Sequence, residues 1–177
     1  PGAAALAAEA ALRAGAGRVH LICEVRPANL PSAVIVNQIS FLPQLLELCD
    51  AVVAGPGWGK TEDRLPVLSA LFAGQKPLVL DADALNLLAD RPKIARWRPN
   101  IILTPHGGEA ARLDKVFELD KLPLTVVHKG PFTRVGCQNR VSINSSGCVN
   151  LATAGAGDVL AGCIGAFASK MEVFEAA

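Results

Sequence analysis

The 177-residue sequence predicts an α/β fold built on a mostly parallel sheet covered by helices on both faces. Three observations carry that expectation. Short, near-continuous apolar runs recur: Ala51-Val52-Val53-Ala54, Pro77-Leu78-Val79-Leu80, Asn100-Ile101-Ile102-Leu103 and Leu124 to His128. Such runs suit strands buried on both faces, not alternating half-exposed ones. Stretches of helical character separate them, and glycines or charged residues stand directly after them. In parallel sheets ligands bind at the carboxyl ends of the strands. Gly55 to Gly59, Asp81, Thr104 to Glu109 and Lys129 all fall there.

Each element has a local reason. Ala3 to Ala14 is Ala- and Leu-rich, pairs Glu9 with Arg13 at helical spacing, and stops at Gly15 and Gly17. Val19 to Cys23 and Ala33 to Ile39 read as strands, separated by Pro27 to Pro31. Phe41 to Cys49 is a short helix whose Pro43 suits a first turn. Further helices are expected from Glu62 to Ala73, Ala84 to Ala89 and Glu109 to Leu113. Arg140 to Ile143 is a weaker strand, and Gly157 to Ser169 a closing helix.

Composition narrows the classes of function. Hydrophobic residues make up 51% of the chain, enough for one core that buries roughly 70% of the unfolded surface. The formal net charge of +1 and the absence of a basic stripe argue against a nucleic-acid or membrane-surface partner. Six Phe, two Trp and no Tyr leave no base-stacking platform. Cys23, Cys49, Cys137, Cys148 and Cys163 form no C-x-x-C pair and read as free thiols of a reducing compartment. No signal peptide is expected, because Glu9 and Arg13 interrupt the Ala-rich start. The apolar run Val159 to Ala168 is too short to span a bilayer, so a soluble cytoplasmic protein is expected.

The sharpest segment is Thr153-Ala154-Gly155-Ala156-Gly157-Asp158, small residues leading into an apolar helix. Backbone N–H groups at such a helix start can hold an anion, with Asp158 in the first turn beside them. Phosphoryl transfer to a hydroxyl needs that pairing, since the amides take the phosphoryl charge and the carboxylate takes the proton. A bare helix-capping role for Asp158 is the structural alternative. Ala54-Gly55-Pro56-Gly57-Trp58-Gly59-Lys60-Thr61 also fits a loose P-loop, which would place Lys60 on phosphates and Thr61 on magnesium. Pro56 removes one cradle donor, and Pro66 interrupts the helix that follows. His106 stands where a substrate would lie, whereas His20 and His128 sit in strands. No second His or Cys stands at zinc-ligand spacing.

These residues together resemble the ADP/ATP-dependent NAD(P)H-hydrate dehydratases of the ribokinase-like superfamily. The resemblance runs in order through Gly2-Ala3-Ala4, Gly55-Pro56-Gly57, Asp81-Ala82-Asp83-Ala84-Leu85-Asn86, Thr104-Pro105-His106-x-Gly108-Glu109 and Lys129-Gly130. It ends on Gly155-x-Gly157-Asp158-Val159-Leu160-x-Gly162. The family departs at Gly107, where it usually has Pro, and at Ala156, where Thr or Gln is common. The resemblance implies a three-layer ribokinase-like domain over residues 1–177 that lacks some family segments. Only 19 residues, for example, separate Glu109 from Lys129.

It further implies repair of hydrated NADH or NADPH by phosphorylation of the ring hydroxyl and elimination of phosphate. Asp158 would be the base, and Gly155, Ala156 and Gly157 the anion hole. Ala4, Gly57, His106 and Asp158 would contact the hydrate. Lys129, Gly130, Pro131, Phe132, Thr133 and Gly157 would line the adenine nucleotide, ADP or ATP. Magnesium is expected from the phosphoryl chemistry, with no ligands assigned. A homo-oligomer is implied as well. A superfamily kinase for a vitamin precursor or sugar, or a degenerate nucleotide-binding module, are the alternatives.

Overall fold

A computed structural model describes residues 2–177. Its central sheet has six strands in the order of the chain: β3 (Val52–Ala54), β4 (Leu78–Leu80), β5 (Ile101–Leu103), β6 (Thr125–His128), β7 (Thr133–Cys137) and β8 (Arg140–Asn144). β3 to β6 are parallel, and β6, β7 and β8 run antiparallel. The antiparallel end departs from expectation at one element. Thr133–Cys137 forms a full strand although Gly136 interrupts its apolar character, because it pairs on both sides, with β6 and with β8. A preceding pair, β1 (His20–Ile22) and β2 (Ile35–Asn37), forms its own parallel two-stranded sheet instead of joining the central one.

Period-two alternation decides which helices each strand side faces. Leu78, Leu80, Ile101, Leu103 and Val126 join one core with α3 (Leu65–Ala73), α4 (Asp83–Asp90) and α5 (Gly107–Leu113). Partly buried Leu42 and Leu46 of α2 (Leu42–Leu48) pack against the same core. Val79, Ile102 and Val127 face the other way, onto α6 (Ala156–Ala168) and α7 (Val173–Ala176). The near-continuous apolar runs are therefore strands buried on both faces, as their composition predicts.

Pro66 does not break the helix after the glycine loop. A short 3₁₀ turn, Glu62–Arg64, takes the first residues, and Pro66 sits in the first turn of α3, where a missing N–H costs nothing. α1 (Gly2–Arg13) lies across α6 at very short range. A Cβ added at Gly162 would fall 2.1 Å from the carbonyl oxygen of Ala7, so only glycine permits this crossing. On its far side α1 packs Ala8 against Leu30 and Val34, in a small core beside β1 and β2.

Candidate functional site

The alternation that sorts the core also builds the site. Val79, Ile102 and Val127 point to the α6 side, so two residues further on Asp81, Thr104 and Lys129 emerge on that side at the strands' carboxyl ends. Asp81 is 1% exposed, and Thr104 is fully buried with its hydroxyl donating to the Leu80 carbonyl at 3.4 Å. The Lys129 ammonium donates to Asp81 Oδ1 at 2.7 Å. A carboxylate this dry needs such a charge partner.

The first turn of α6 sits over this ion pair. Gly155 caps it in the left-handed region (φ +90°), and a Cβ there would lie 2.6 Å from Leu6 Cδ1 of α1. A Cβ at Gly157 would stand 3.2 Å from the Lys129 ammonium and 3.9 Å from Asp81 Oδ2. The Ala156 N–H donates to the Thr153 carbonyl at 3.2 Å. Those of Gly155, Gly157 and Asp158 have no acceptor among the described residues. Three unspent donors, a helix start and an ammonium thus converge where Thr153 to Asp158 predict an anion site.

Asp158, half-buried, is held above the ordinary carboxylate range. Burial is the main cause, the neighbouring Asp81 charge adds to it, and Lys129 opposes both. A carboxylate displaced in that direction is a better proton acceptor than a free one.

His106 caps α5 through a capping box. Its Nδ1 accepts from the Gly108 N–H at 3.0 Å, and Glu109 accepts from the His106 N–H at 2.9 Å. That use of Nδ1 leaves the ring proton on Nε2. His106 bridges to Lys129 across the strand ends, and the Lys129 N–H donates to the Pro105 carbonyl at 2.9 Å. The histidine and the lysine are thereby brought together by backbone.

Gly55 to Gly59 is locked to the Asp81–Asp83 turn. Gly55 (φ +116°) could not carry a side chain, because its Cβ would stand 1.8 Å from the Asp81 carbonyl oxygen. The Gly59 N–H donates to Asp83 Oδ2 at 2.8 Å. This spends an amide that a P-loop would give to phosphate, and Lys60 is exposed and followed by a short 3₁₀ turn, with α3 starting only at Leu65. The loop is thus fastened to the Asp81–Asp83 turn at two points.

The remaining candidates take three places. Gly57 lies at the exposed tip of that loop, and Ala4 half-buried in the first turns of α1. Gly130 to Thr133 make the β6–β7 turn, closed by Thr133 Oγ1 donating to the Gly130 carbonyl at 3.1 Å. Pro131 and Phe132 are exposed on it, Phe132 at 70%. His20 bonds Asn37 at the start of β1, and all five cysteines are free. No group of three His, Cys, Asp or Glu is assembled to hold a metal among the described residues.

Two members of the site had no role from sequence. Asp81 was visible as a strand-end carboxylate, but its partner lies 48 residues away. Counting sides of the strands from Val79 and Val127 supplies the missing signal. Glu109 was legible as a first-turn acid, though not as the brace of His106.

Comparisons with known proteins point to one family. The NAD(P)H-hydrate dehydratase family model matches residues 1–177. An ADP-dependent (S)-NAD(P)H-hydrate dehydratase of Neisseria meningitidis is 38% identical over 99% of the chain and 68% of its own length. A bifunctional NAD(P)H-hydrate repair enzyme of Escherichia coli is 36% identical over 99% of the chain, which spans 38% of that larger protein. An ADP/ATP-dependent NAD(P)H-hydrate dehydratase of Bacillus subtilis, co-crystallized with ATP/Mg2+, superposes with a TM-score of 0.76 at 28% identity. That superposition covers 99% of this chain and 72% of the other.

Proposed function

The chain belongs to the NAD(P)H-hydrate dehydratase family, and from that premise we propose that it restores hydrated NADH or NADPH at the expense of ADP or ATP. The observation that carries the reading is the meeting of free α6 amides, the Lys129 ammonium and the Asp158 carboxylate at the sheet's carboxyl end.

Asp158 takes the proton of the ring hydroxyl, and the oxygen attacks the terminal phosphorus of the nucleotide. The P–O bond to the leaving AMP or ADP breaks as the new one forms. The N–H groups of Gly155 and Gly157 and the Lys129 ammonium hold the phosphoryl oxygens as charge spreads over them. The phosphate then leaves with the C–O bonding electrons as the adjacent ring carbon gives up a proton to solvent, and the C–H electrons form the double bond that restores the dihydropyridine. His106, presenting Nε2–H, and the Gly57 loop orient the hydrate, with Ala4 at its nicotinamide end. Lys129 to Thr133 receive the nucleotide.

Mg2+ would accompany the nucleotide, where it would neutralise phosphate charge. We extend the reading to a cytoplasmic homo-oligomer, an assembly that exposed Val141 and Ile143 on the edge strand β8 would favour.

The test is incubation of the protein with hydrated NADH and either nucleotide, followed at the absorbance band of reduced nicotinamide. Nucleotide-dependent recovery is expected. A phosphorylated product that accumulates without recovery would make the chain a kinase instead.

A further inference from the structure

Beneath the first turn of α6 lie two carboxylates, Asp81 and Asp158, and one ammonium, Lys129, and the division of that single cation has a chemical consequence. A carboxylate that takes the ammonium as a close partner loses proton affinity, because the charge favours its ionised form. Asp158 needs that affinity if it acts as the base. Lys129 is nonetheless required nearby, at the phosphate.

We propose that Asp81 is a positioning residue that holds the Lys129 ammonium under Gly157, facing the transferred phosphate, and leaves the Asp158 carboxylate free to take a proton. The inference deepens the function proposed above and rests on it. Asp81 suits the task because its own place is fixed on both sides by backbone. Its N–H donates to the Ala54 carbonyl and its carbonyl accepts from the Ala84 N–H, each at 3.1 Å. The Lys129 main chain is equally fixed by its bond to Pro105. Only the flexible lysine stem is left to choose a partner, and it chooses the drier carboxylate at 2.7 Å. No ion pair forms between Lys129 and Asp158. Gly157 makes the arrangement possible, since a side chain there would crowd the ammonium.

No other charge competes for this role. Of the elements packed on α6, α1 brings Leu6 and Ala7, while its Glu9 pairs with Arg13. α7 keeps Glu172 and Glu175 on Arg140, and β3 brings Val53. Asp81, which raises the proton affinity of Asp158, and Lys129, which lowers it, are the charges that face it.

The test reads the Asp158 carboxyl carbon by 13C NMR across pH, on the full chain without nucleotide or hydrate. Asp81→Asn removes one neighbouring charge and frees the ammonium to swing to Asp158, so the midpoint should fall by at least about one pH unit, tenfold in proton affinity. Lys129→Met should then raise the midpoint several-fold more in the Asp81→Asn background than in the otherwise wild-type chain, because only there has the ammonium moved onto Asp158. An Asp81→Asn midpoint equal to wild type, or a Lys129→Met shift of the same size in both backgrounds, would overturn the proposal. Asp81→Ser gives the same comparison where Asn does not fold. In turnover, Asp81→Asn should lower kcat about 10- to 100-fold and move its acid limb to lower pH, whereas a purely structural role would leave the limb in place. The titration needs no turnover. A wild-type chain inert toward the hydrate would therefore sink the dehydratase reading while the Asp81 result still stood or fell by itself.

Discussion

The carboxylate of Asp81 and the ammonium of Lys129 meet at 2.7 Å across two strands of the sheet, directly beneath the first turn of α6. Their contact joins the parallel sheet to the glycine turn.

Asp158→Asn should reduce kcat by roughly 10²- to 10⁴-fold, the range for loss of a general base, with nucleotide affinity changed only a few-fold. Isothermal titration with ADP and single-turnover recovery of hydrated NADH separate the two effects.

The same substitution should stabilise the fold at neutral pH. The folded state binds the Asp158 proton more tightly than the unfolded chain does, so ionising this group opposes folding. Its contribution is fully favourable below the unfolded carboxylate pKa and is lost as pH rises through the raised folded value. Thermal melts should therefore show a higher Tm for Asp158→Asn at pH 7, with a difference that shrinks as pH falls through the raised folded value and is gone below the unfolded one.

Gly55→Ala should be severe. Its Cβ would need space held by the Asp81 carbonyl oxygen at 1.8 Å, in a left-handed backbone. A loss of about 3 kcal/mol or more in urea denaturation is expected, from strain and displaced packing together.

Much of this fold was legible because β4, β5 and β6 are short apolar strands buried on both faces and several helices begin or end beside Gly or Pro. Thr133–Cys137 escaped notice since a strand interrupted by Gly136 shows its nature only through its two neighbours. β1 and β2 were legible as strands, but nothing in their residues says which sheet they join. In the site, the glycine–aspartate turn announces itself locally. The Asp81–Lys129 pair is a product of topology, and the pinning of Gly155 by Leu6 requires knowing that α1 crosses α6.

Gly162→Ala should cost about 2–3 kcal/mol, because the added methyl meets the Ala7 carbonyl at 2.1 Å and the helices must part. Guanidinium unfolding measures the loss. A lowered kcat in the folded fraction would show that the separation reaches Gly155.

Ala82→Gly should act in the opposite direction. Ala82 stands at φ +49° and ψ −118°, a conformation suited to glycine, between the two aspartates of the turn. Relief of that strain should add about 1 kcal/mol to stability, read as a higher Tm.

The contact of Leu6 with Gly155 gives the amino-terminal helix a mechanical duty. α1 thereby decides which residue can open α6: Leu6 leaves room for glycine alone at the left-handed position, so a contact between two helices, outside the sheet, holds the backbone of that turn.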